Sequence, residues 1–137
     1  MQALRRRHLR FGWTALLAFS ALGAVLEVLH ALKVGAYLDV GNETRRLMWR
    51  LAHAHGVLLG LINVAFGLTV EHLQERASPR PERASACLLA AACLLPLGFL
   101  LGGAFAAGGD PGLPVLLVPL GVPLLLGALW WTARGVR

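Results

Sequence analysis

Residues 84–107 read ASACLLAAACLLPLGFLLGGAFAA, a run without a single Asp, Glu, Lys or Arg. At about 1.5 Å of rise per residue, a helix of this length crosses the roughly 30 Å hydrocarbon core of a bilayer. A surface helix of a soluble protein keeps one polar face for water, and this run has none. Lipid is the solvent that suits it. In lipid the backbone must satisfy its own hydrogen bonds within the segment, which makes the run a helix.

Outward from it lie three more apolar runs, at about 11–38, 47–70 and 112–132. Together they account for a composition that is 57% hydrophobic and only 15% charged over 137 residues. The sequence therefore predicts an all-α fold, an integral membrane four-helix bundle that occupies the chain as one domain. The connections are short, so consecutive helices should be antiparallel neighbours. The first run is too long for the apolar region of a cleaved signal peptide, which spans about 7–15 residues, and reads as a retained span.

The arginines set the orientation. Arg5, Arg6, Arg7 and Arg10 precede the first span, Arg76, Arg80 and Arg83 lie between the second and third, and Arg134 and Arg137 follow the fourth. The opposite side holds Arg45, Arg46 and Arg50. Positive charge stays inside, so both termini are expected in the cytoplasm, with the chain in the inner (plasma) membrane. The net charge of +6 resides at the ends of apolar runs and not on a basic face interleaved with aromatics, so nucleic acid is no expected partner. The expected surroundings are the lipid bilayer, a membrane protein partner or further copies of the chain. Cys87 and Cys93, about 120° apart on one helix, read as small apolar side chains.

Polar chemistry is concentrated in the first two spans. Ser20, Glu27, His30, Lys33 and Tyr37 fall within an arc of about 140° on the first. On the second, Arg46, Trp49, His53, Gly56, Gly60, Asn63 and Gly67 share an arc of about 100°. Ionisable groups are costly inside a membrane and generally face the bundle interior or a functional site. His30 lies about 12 Å below the outer end of its run and His53 about 9 Å below the start of its own, so antiparallel packing brings them to similar depth. A shared site between the two helices follows, with Arg46 and Arg50 at its rim and Glu27, Lys33, Tyr37 and Asn63 as its further polar members. His55 diverges from His53 by about 160°, so at most one of the two serves a given site.

The run Arg50-Leu51-Ala52-His53-Ala54-His55-Gly56, continued by an apolar helix with Gly60 and Gly67, resembles the histidine helix of haem-binding respiratory membrane proteins of bacteria, the oxidase-subunit-I-like and NnrS-like groups. More loosely, the chain resembles small four-helix membrane proteins of bacteria. The first resemblance covers about 20 residues and implies haem b, or a metal, ligated by His53 or His55. His30, at similar depth on the first span, is a further candidate ligand. Arginines at the rim would receive the propionates. The other readings are a proton- or solute-translocating protein and a non-catalytic subunit or assembly factor. Ser20 and Ser85 form no recognisable arrangement with a histidine and a carboxylate, so an enzyme is not the expected reading.

Overall fold

Helix α1 (Gln2–Ala31) does not wait for the first apolar residue: it begins within the arginine segment, where Arg and Leu are good helix formers and no glycine or proline intervenes. The computed structural model describes residues 1–73 and 81–136, so Arg76, Arg80 and Arg137, used above for orientation, lie outside the described residues.

The far end of α1 also departs from the sequence reading. The helix stops at Ala31 and does not run on to Leu38. Lys33 takes a left-handed φ of 51°. Its N–H bonds to the His30 carbonyl at 3.1 Å and the N–H of Val34 bonds to the Leu29 carbonyl at 3.0 Å. This is the paired closure that satisfies orphan carbonyls at a helix C-terminus, made here with lysine where glycine is usual. A single turn follows, α2 (Gly35–Leu38), then a 3-10 turn (Val40–Asn42) and α3 (Glu43–Thr69). The chain goes on through another 3-10 turn (Val70–His72), α4 (Pro81–Ala104), a 3-10 turn (Leu113–Leu116) and α5 (Leu117–Gly135).

Among the described residues, four helices are long and apolar enough to cross a membrane: Gln2–Ala31, Glu43–His72, Pro81–Ala104 and Leu113–Gly135. Of the prolines expected to bend the last, Pro114 sits in the preceding 3-10 turn and Pro119 in the first helical turn, where its missing N–H has no helical partner to lose. Pro123 lies inside α5, and Pro96 inside α4.

The helices pack in order, α1 on α3, α3 on α4 and α4 on α5, while α1 meets α4 only slightly. Where all four do converge is the end marked by the arginines of α1. There Leu4 packs on a core of Phe66, Val70, Leu73, Ala84, Leu88 and Ala128, and Phe11 on a core that includes Leu59, Ala91 and Leu95. Beyond Phe11, α1 contributes to neither core and lies against α3. The small residues of α3 make that contact close. A Cβ on Gly12 would stand 2.8 Å from the Gly60 carbonyl oxygen and 2.7 Å from Val64 Cγ2, so any larger residue would push the backbones apart.

Candidate functional site

Near the Lys33 end, the seam between α1 and α3 opens into a cavity of about 930 Å³. From α1 it is lined by Ser20, Gly23, Glu27 and His30, and from α3 by Arg46, Arg50 and His53, with Tyr37 of α2 at its margin. The stop at Lys33 explains how Tyr37 reaches it. With the helix ended, α2 folds back so that the Tyr37 ring stacks on Trp49 (6.3 Å, 10°) and meets His30 edge-on (6.4 Å). Trp49 is itself fixed to α4, its Nε1–H donating to the Leu100 carbonyl at 3.1 Å.

His53 is the most tightly placed of these side chains. Its Nδ1–H donates to the Phe19 carbonyl across the seam at 2.7 Å. The ring reaches that carbonyl because residue 23 is glycine: a Cβ there would lie 2.4 Å from His53 Cε1. Phe19 in turn fills the space above Gly56, where a Cβ would overlap its ring at 2.1 Å. With Nδ1 occupied, Nε2 is the imidazole's free acceptor, and a hydrogen bond to a backbone carbonyl is how proteins orient a ligating histidine. Among the described residues, neither Glu27 nor Arg50 has an ionic partner; Arg46 makes a 3.4 Å contact with Glu43 on the surface of α3.

The structure draws the remaining predicted members away from this cavity. Lys33 leaves the α1 face because the helix has already ended and its backbone turns left-handed. His55 points to α4, its ring 4.7 Å from that of Phe99 and its Nδ1–H bonded to the Leu51 carbonyl at 2.9 Å, as its angle from His53 requires. Asn63 does share the α3 face with His53, but it lies about 15 Å further along the helix. Among the described residues, no three His, Cys, Asp or Glu side chains are grouped to hold a metal ion.

Asn63 belongs to a second polar cluster that sequence reasoning missed. Its Nδ2 donates to the Leu59 carbonyl at 2.8 Å, which turns Oδ1 toward α1. There it accepts from His8 Nδ1–H at 2.7 Å, and His8 Nε2 accepts from the Ser85 hydroxyl of α4 at 2.7 Å. His8 and Asn63 are 0% exposed and Ser85 is 1% exposed. The order hydroxyl–imidazole–amide matches that of a nucleophile, its base and an orienting group. Burial decides against that use: all three groups are enclosed, none lines the cavity near Lys33, and their hydrogen bonds are consumed in joining α1, α3 and α4. No buried side-chain nitrogen or oxygen among the described residues lacks a partner.

These features define a helical protein with spans suited to lipid, a polar cavity at one end of the α1–α3 seam and a closed polar knot at the other. No family model, curated protein or solved structure matches the chain.

Proposed function

We propose that this chain is a multi-pass protein of the bacterial inner membrane, with antiparallel neighbouring helices and both termini cytoplasmic, whose α1–α3 cavity binds haem b. The observation that carries the reading is His53, held by the Phe19 carbonyl with Nε2 left as its acceptor. The volume of about 930 Å³ falls within the range of about 300–1,000 Å³ typical of small-molecule sites. His30 lines the same cavity and would be the second imidazole available to hold the group. Arg46 and Arg50 supply donors for two propionates, and Gly23 leaves room for the imidazole beside the α1 backbone. Bound there, haem would provide a redox-active iron whose potential depends on ligand identity and burial.

The test is spectroscopic. Protein purified in mild detergent and titrated with haem should develop a Soret band with saturable uptake. His53→Ala should abolish it, and Arg46→Gln with Arg50→Gln should weaken binding without removing the band. A preparation that takes up no haem would reject the reading.

A second reading rests on Glu27, which faces the cavity beside His30 and has no ionic partner among the described residues. Carboxylate and imidazole groups within a span are the components of proton relays. It predicts pH-dependent flux in liposomes that disappears in Glu27→Gln.

A further inference from the structure

The arginines at the start of α1 do not all serve one purpose. Arg5 turns toward the 3-10 turn that follows α3 and pairs with Glu71 at 3.1 Å. Arg6, Arg7 and Arg10 are exposed and, with Gln2 and Ala3, line a separate groove of about 700 Å³. Among the described residues, none of these three has an acidic partner.

The direction of this groove identifies its surroundings. At about 100° per residue, Arg6 and Arg10 lie about 160° around α1 from His8. His8 is buried against α3 and α4, so the groove faces away from the other helices. Further along, Trp13 and Leu17 share an arc of about 60° with Arg6 and Arg10, and both are bare, at 64% and 74% exposure. One outward stripe therefore runs from guanidinium groups through an indole to an aliphatic side chain on a helix apolar enough to cross a bilayer. That sequence of chemistries follows a phospholipid from headgroup to acyl chain. Tryptophan favours the boundary between the two. Guanidinium forks fit phosphate oxygens, and the positive end of the α1 dipole adds to their attraction.

We propose that the Arg6–Arg7–Arg10 groove binds the phosphate group of an anionic lipid, whose chain lies along Trp13 and Leu17. A soluble phosphate ester could meet the same arginines but would gain nothing from the stripe below them.

Native mass spectrometry of the full chain in mild detergent, offered phosphatidylglycerol against phosphatidylcholine, reads this directly. Phosphatidylglycerol should be retained preferentially, and each arginine exchanged for glutamine should lower the preference about fivefold, the effect of one basic residue near an anionic surface. The R6K/R7K/R10K variant should keep the preference, and R6Q/R7Q/R10Q should lose it while its circular dichroism remains that of the parent. Millimolar inorganic phosphate should leave retention unchanged, and Trp13→Ala should reduce it. Equal retention of the two lipids, or a preference unaffected by the glutamine variant, would overturn the proposal. Displacement of the lipid by inorganic phosphate would overturn it in favour of a soluble ligand.

Discussion

At one end of the α1–α3 seam, a histidine from α1 is enclosed and both its ring nitrogens are bonded, to Asn63 and to Ser85. At the other end, a histidine from α3 is bonded on one side to Phe19 and borders a cavity with Glu27, His30, Arg46 and Arg50. Both ends use imidazole, and both rely on close backbone approach. What separates them is the reach of α4, which supplies Ser85 at the first end, while α1 stands clear of both hydrophobic cores beyond Phe11. A third helix converts a polar seam into a knot, and its absence leaves a site.

The largest effect that tests this contrast is His8→Leu. It strands the Asn63 carbonyl oxygen and the Ser85 hydroxyl in a buried space, with an expected loss of about 2–3 kcal/mol in unfolding by SDS titration. His30→Leu, at an exposed cavity wall, should change stability by less than about 0.5 kcal/mol. Equal losses in the two variants would erase the distinction between knot and site. Gly23→Ala comes next. Its Cβ displaces the His53 ring from the Phe19 carbonyl, at about 1–2 kcal/mol. Imidazole NMR should show the His53 signal shifted and the His8 signal unmoved. The last variant has an effect of the opposite sign. Lys33→Gly relieves a left-handed backbone and should stabilise by about 1 kcal/mol, measured in the same titration, provided that the closure at Lys33 is what ends α1.

The four apolar runs could be read because charge is sparse in them and gathered at their ends, and no packing detail is needed to see that. The α3 stripe was legible for a related reason: Arg46, His53, Gly56, Gly60 and Asn63 repeat at helical spacing. Gly56, Gly60 and Asn63 do meet α1 in the structure. Cavity residues Glu27, His30, Arg46 and His53 were grouped from sequence by face and depth together and Arg50 by depth, whereas Tyr37 was placed on a helix that ends before it and reaches the cavity through the turn back into α2. Lys33 was misplaced because a left-handed lysine looks like any other helical residue in a sequence, and Asn63 because face was weighed above its distance along the helix. His8 was hidden by its neighbours, since a histidine among arginines reads as part of a basic flank. The signal was present: on a helix extended back to Gln2, His8 falls about 40° from His30 and in phase with Gly12, Phe19 and Gly23. Ser85 gave no sign at all, because one hydroxyl in an apolar helix has no period.

The knot also bears on the order in which the chain can be assembled. When α1 and α3 have entered the membrane, His8 can already meet Asn63, but its second nitrogen has no protein partner until the helix carrying Ser85 arrives. The pairing of α1 with α3 thus leaves one ring nitrogen to the surroundings at the arginine end, and the docking of α4 encloses it. Membrane helices associate after insertion through packing and such hydrogen bonds. A chain truncated before Pro81 would carry the whole cavity and the His8–Asn63 bond between its walls, yet lack the hydroxyl that completes the knot at the opposite end.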